Sequence, residues 1–155
     1  MILGIDHVGL ATDDPAAVGG YLAALGLQRF DAGVAEAYGV SCDFWRWAGM
    51  TSAASGAGAA GRPAQPAVEV VAPVREGSAV SHRLARNGPG LYHLALEVDD
   101  LDAELARLRG AGFTAVDREP CAGAREGMRV AFVYAGRPAG VLVELVQYGA
   151  DRPPA

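Results

Sequence analysis

Apolar and polar residues alternate with a period of two along IDHVGLATDDP near the start of the chain, and again along LYHLALEVDDL 86 residues on. Each run ends in a pair of aspartates and passes into helical spacing. In the first copy Asp14 stands as an N-cap and Pro15 takes the first helical position. Val18, Tyr21, Leu22 and Leu25 then recur on one face before Gly26. In the second copy Asp100 caps a helix carrying Leu101, Leu105 and Leu108, with Gly110 and Gly112 ending it. Strand-like runs follow each helix. They cover 27–31, 39–47 and 67–72 in the first copy, with Gly33 near a turn, and 113–118, 128–134 and 141–148 in the second.

The chain is therefore a repeat of two βαβββ modules. From His7 onward a constant offset of 86 pairs His7 with His93, Asp13 with Asp99, Asp14 with Asp100, Leu22 with Leu108 and Gly26 with Gly112. Module one spans 1–73, a linker with a short helix spans 74–89, module two spans 90–148, and 149–155 form a disordered tail, all within one domain. The last strands of the modules also match, AVEVVAP against VLVELVQ, which aligns Glu69 with Glu144. Module one is longer by eleven residues, and the surplus falls in the stretch 51–65, which is rich in alanine, glycine and serine and reads as a flexible hairpin loop.

Composition narrows the chemistry. The 155 residues carry a net charge of −5 and an isoelectric point near 5.1, so a nucleic-acid partner is not expected. All 13 basic residues are arginine, which removes Schiff-base chemistry and the lysine-bearing phosphate loop. Cys42 and Cys121 are too few for a disulfide framework, and neither a signal-like stretch nor a membrane-spanning run is seen. A cytoplasmic protein with a small-molecule partner is the expectation.

Residues two apart on a strand share a face, so His7 lies with Gly9 and Ala11, and His93 with Ala95. Val8, Leu10, Leu94 and Leu96 lie on the other side and suit burial under the helices, while the small neighbours of each histidine leave room for a ligand. Glu69 and Glu144 sit in the most apolar strands of the chain, where an unpaired carboxylate costs several kcal/mol. Two imidazoles and two carboxylates in register make His7, Glu69, His93 and Glu144 a candidate site for a divalent first-row ion. Cobalt, zinc, nickel, manganese and magnesium all tolerate such a set, and affinity order does not select among them. His82 lies on the polar linker helix and is assigned no ligand role, and the paired aspartates are explained as caps.

The phrases IDHVGLAT, VEVVAPVREGSAVSHRL, GPGLYHLALEVDDLDAELARLRGAGF and GVLVELVQY resemble the vicinal oxygen chelate superfamily, which includes glyoxalase I, extradiol dioxygenases and the bleomycin resistance proteins. Within it the resemblance is nearest to the methylmalonyl-CoA epimerases. It implies an α+β fold in which the two modules form an open, incompletely closed eight-stranded barrel, and a homodimer. It also implies a metal held by the same four residues, and a reaction in which carboxylates, Glu144 among them, move a proton alpha to a bound carbonyl.

Two phrases depart from that family. Its members carry Glu-Glu-Gln-Gly entering the third strand, the second glutamate serving as a base; here the phrase is EAYG, with Ala37 in that place. They also carry His-Pro-Lys before the last strand, where this chain has Tyr134, Ala135 and Gly136. Glu36 is adjacent to the missing base. If Val40, Cys42 and Phe44 face the helices, then Ser41, Asp43, Trp45 and Trp47 face the cleft; Asp43 becomes a rival base, and Ser41, Trp45 and Trp47 become candidate substrate contacts. The reading is a metal-dependent epimerase or isomerase. The alternatives are an enzyme of the same superfamily acting on a secondary metabolite by rearrangement or cyclisation, and a metal-free drug-binding resistance protein.

Overall fold

The computed structural model describes residues 1–47 and 66–149. The predicted 51–65 loop lies outside the described residues, as does the tail from residue 150. The first module supplies β1 (Ile2–Ala11), α1 (Pro15–Ala24), β2 (Leu27–Ala35), β3 (Val40–Trp47) and β4 (Ala67–Pro73). After the linker helix α2 (Ala79–Asn87) come β5 (Gly90–Val98), α3 (Leu101–Gly110), the two-residue strands β6 (Thr114–Ala115) and β7 (Cys121–Ala122), then β8 (Met128–Ala135) and β9 (Val141–Tyr148). No helix among the described residues is long and apolar enough to cross a membrane.

All nine strands of the described residues join one mixed sheet that does not close into a barrel. Eight lie in the order β2-β3-β4-β1-β5-β9-β8-β6, and β7 pairs with β8. The order reads the same from both ends in terms of the repeat. β1 and β5 meet antiparallel at the centre, and each is flanked by the parallel last strand of its own module, β4 or β9.

Local chemistry sets the helices. The Asp14 carboxylate accepts the Ala17 N–H at 3.0 Å, and Asp100 accepts that of Ala103 at 3.0 Å. Under α3, Val98, Leu101, Leu105, Leu108, Val133 and Leu145 make one core. Under α1, Leu22, Leu27 and Val70 make another, completed by Val18, Val68 and Trp45. The opposite face of the sheet is also apolar, with Val40, Cys42, Phe44, Val71 and Val80 in one cluster and Ala95, Met128, Val130 and Val146 in another.

That second apolar face corrects the assignment of β3. Val40 and Cys42 line the cleft and Phe44 packs against His7, so the alternate residues Ser41, Asp43, Trp45 and Trp47 lie on the helix side. Gly19 on α1 makes the space for Trp45, whose Cζ2 would lie 2.9 Å from a Cβ placed there. Gly33 is not at a turn. It lies within β2 where the loop before β8 crosses, and a Cβ there would run into the Ala124 carbonyl. The turn is Glu36–Gly39, closed by N–H groups of Tyr38 and Gly39 on the Ala35 carbonyl, both at 3.0 Å. The strand expected over 113–118 shortens to β6 because Val116 and Asp117 both direct their N–H groups to the Phe132 carbonyl, while the Asp117 carboxylate takes the Phe132 N–H at 2.7 Å. A side chain replaces the backbone acceptor there, and the ladder stops.

Candidate metal centre

Strand register builds the centre from two rows of residues. Across β3, β4, β1 and β5 run Phe44, Glu69, Gly9 and His93; across β8, β9, β5 and β1 run Phe132, Glu144, Ala95 and His7. The rows are copies of each other. Each histidine crosses over the small residue of the other module to reach that module's glutamate, so neither module holds a complete site alone. The space beside Gly9 that suggested room for a ligand is filled by the His93 imidazole: a Cβ at Gly9 would stand 2.6 Å from both ring nitrogens. Phe44 and Phe132 close the ends of the rows edge-on to His7 and His93, with ring centroids 5.6 and 5.4 Å apart.

The four polar ends converge. His7 Nε2 lies 3.0 Å from His93 Nε2, and Glu144 Oε2 is 3.0 Å and Glu69 Oε2 3.2 Å from each of these nitrogens. All four residues are buried. Adjacent ligand atoms on a cation with bonds of about 2.0–2.1 Å stand about 3.0 Å apart in octahedral and about 3.3 Å apart in tetrahedral geometry, and the observed separations fall in that interval. The donor set and the spacing therefore fit a divalent first-row ion.

Electrostatics agree with a centre built for positive charge. Burial alone pulls the histidine pKa values down, but Glu144 and Glu69 outweigh it; His93 is pushed up to about 9 and His7 is raised well above its ordinary value. Burial likewise pushes the glutamates up, yet the two imidazoles hold both below the usual carboxylate range. The cluster thus retains protons on nitrogen until a cation replaces them. The Cys42 thiol is pushed up by burial and by Glu69, which keeps it neutral.

Behind the centre, Asp6 accepts from His7 Nδ1 at 2.7 Å, which fixes the tautomer that leaves Nε2 free to coordinate. Tyr148 donates to Asp6 at 3.2 Å, and Arg125 donates to Tyr148 at 3.0 Å and to Asp31 at 2.8 Å. The repeat breaks at this point, since Tyr92 stands where Asp6 does in the first copy. His93 Nδ1 is buried with no hydrogen-bond partner among the described residues.

In front lies a cavity of about 190 Å³, walled by side chains that include Val40, Val71, Val80, Met128, Val130 and Leu142, with Glu69, His93 and Glu144 lining it. Its other polar groups are Tyr38, Tyr92 and Asp117. Of the residues singled out in the sequence, Glu36 is exposed on the β2–β3 turn and does not line this space. Asp43 is tied to Arg29 at 3.2 Å on the other side of the sheet, Trp47 is half exposed, and Ser41 bonds the Ala72 carbonyl. None of Ser41, Asp43, Trp45 and Trp47 lines the cavity. The wall residues that sequence reasoning missed, Tyr38, Asp117 and Phe132, come from a turn, a broken strand and a strand face with no polar signal.

This sheet and this cluster define the class. A family model for the Glyoxalase/Bleomycin resistance protein/Dioxygenase superfamily matches residues 6–132, and the chain belongs to that superfamily. Among solved structures, it is similar to methylmalonyl-CoA epimerase from Mycobacterium tuberculosis, with 27% identity and a TM-score of 0.77 over 96% of this chain and 89% of that one. A Streptomyces coelicolor methylmalonyl-CoA epimerase variant in complex with 2-nitronate-propionyl-CoA is 31% identical with a TM-score of 0.80, over 97% of each chain. The uncharacterized protein YqjC of Bacillus subtilis is 33% identical over 85 residues, 55% of this chain; the chain matches 60% of that relative's length.

Proposed function

We propose that the protein is a divalent-metal-dependent isomerase or epimerase that moves a proton on the carbon next to a carbonyl group. The observation that carries this reading is the buried cluster of His7, Glu69, His93 and Glu144, set against an apolar cavity of about 190 Å³. A divalent cation held by these four residues supplies Lewis-acid stabilisation of the negative charge that develops on a carbonyl oxygen. The chain's own residues do the rest. The apolar walls exclude water and so strengthen every charge interaction inside. Glu144, at the cavity margin, is the carboxylate assigned to proton transfer. The cavity is smaller than the 300–1,000 Å³ typical of drug-sized ligands, which suits the reacting end of a carbonyl compound with the remainder outside.

The likeness to methylmalonyl-CoA epimerases makes a branched acyl thioester the first substrate to try. A different carbonyl compound is the second reading, favoured by Ala37 at the family's base position and by the exposed Glu36 beside it. We assign the protein a homodimeric state on the resemblance and a cytoplasmic setting on its two free cysteines.

The test is exchange of the α-proton with deuterium oxide, followed by proton NMR with cobalt- or zinc-loaded protein and a series of β-carbonyl acids and thioesters that includes methylmalonyl-CoA. Exchange that depends on the added metal is the expected result. No exchange across the series refutes the assignment.

A further inference from the structure

We infer that Asp117 is the second proton-transfer carboxylate of the cavity, an inference that rests on the proton-moving reading above. Inverting a carbon centre needs one group to take a proton from one face and another to return a proton to the opposite face. Glu69 and Glu144 sit together in the ligand cluster, so they serve one face only. Neither Glu36 nor Asp43 can serve the other, since neither lines the cavity. Among the described residues, Asp117 is the one carboxylate besides the two ligands that does.

Its setting is built by both modules. Asp117 Oδ2 accepts the Tyr38 hydroxyl at 2.8 Å from the first module and the Phe132 backbone N–H at 2.7 Å from the second. Both bonds fall on one oxygen, so the carboxylate is anchored through Oδ2 where the residue lines the cavity. The hydrogen bonds run one way: Cys121 donates to the Tyr38 oxygen at 3.2 Å, and Tyr38 donates onward to Asp117. That direction keeps the aspartate an acceptor.

One aromatic ring also connects the ligand cluster to the residues that hold Asp117. The Phe132 ring stands edge-on to His93 at 5.4 Å and to Tyr38 at 5.2 Å, so one aromatic ring spans the distance from the cluster to the clamp on Asp117. In one direction the α C–H bond breaks as an O–H bond forms on Asp117 and the electron pair passes into the enolate; the opposite face takes a proton that Glu144 relays from solvent, and Asp117 then releases its proton to solvent. In reverse the two carboxylates exchange roles. Protons balance, and no oxidant or reductant is required.

The experiment uses Asp117→Asn in the full chain, because asparagine keeps an oxygen for Tyr38 and Phe132. Each epimer of methylmalonyl-CoA is incubated separately with metal-loaded protein in deuterium oxide. The native protein should exchange the α-proton of both. Asp117→Asn should lose exchange on one epimer by about 100-fold or more, keep it on the other within a few-fold, and lose inversion altogether. Its metal affinity by calorimetry should stay as in the native chain. Tyr38→Phe removes one anchor but leaves the carboxylate, so both epimers should still exchange, with inversion slowed by about 10-fold. Equal effects of Asp117→Asn on the two epimers, or none, overturn the role of Asp117 while leaving the proposed function standing. A native protein that exchanges neither epimer, nor any other compound of the series above, overturns this role together with that reading.

Discussion

Gly9→Ala tests the packing that brings the two modules' ligands together. The substitution adds one methyl group to the central strand, at a position whose backbone tolerates alanine; only space is at issue. The added carbon would sit 2.6 Å from both His93 ring nitrogens. Ordinary contacts begin about 1 Å farther out, and metal–ligand distances tolerate shifts of only about 0.2 Å. β1 is held on both sides by β4 and β5 and cannot yield, so the imidazole must leave the cluster. Overpacking of this kind costs about 1–3 kcal/mol of fold stability. Losing one ligand of four should weaken metal binding by at least the 10–100-fold seen for outer-shell disruption. Calorimetric titration of native and Gly9→Ala proteins with zinc or cobalt, alongside thermal melts of the metal-free chains, measures both quantities. A Gly9→Ala protein that binds metal with native affinity would refute the claim that Gly9 exists to admit His93.

Asp6→Asn should lower metal affinity by about 10–100-fold with little loss of fold, because the His7 ring loses the acceptor that orients it; equal affinities in titration would contradict that role. Trp45→Ala should cost about 3–5 kcal/mol in denaturant melts by emptying the space under Gly19, while the metal affinity of the folded variant stays native. A tryptophan serving the cavity would instead reduce ligand binding at little cost in stability. The pH response of the metal-free protein follows from His93. Its folded pKa of about 9 exceeds the ordinary 6.5, so its contribution is complete below about pH 6.5 and is lost as pH rises through 9. Denaturant midpoints should fall across that window without metal and hold with zinc bound; a flat metal-free profile would contradict the charge assignment.

Duplication is what made the site legible. One strand histidine carries little information, but His7 and His93 share a phrase, as do Asp14 and Asp100, so the caps, the two histidine-bearing strands and the four cluster residues could be read from a single chain. Features that depend on one module meeting the other left no such trace. The alternation in β3 gives its period but not its sign, because both faces of this sheet are apolar; Val40, Cys42 and Phe44 form a cavity wall that reads like a core stripe. Gly33 resembles a turn residue until the Ala124 loop is seen to cross it. Asp117 breaks a predicted strand and meets Tyr38 across 79 positions, a contact no local pattern encodes. Ala37 stands out in the sequence as a departure from the resembling family's phrase, whereas Asp117, which lines the cavity, carries no such mark.

The measurement closest to the centre of this account is the titration of the chelator-stripped protein with a divalent first-row cation, native chain against His7→Ala and Glu144→Gln. The account predicts one cation per chain for the native protein and a loss of about 100-fold or more in affinity for each variant. Binding that is absent from the native chain, or that survives both substitutions undiminished, would contradict it.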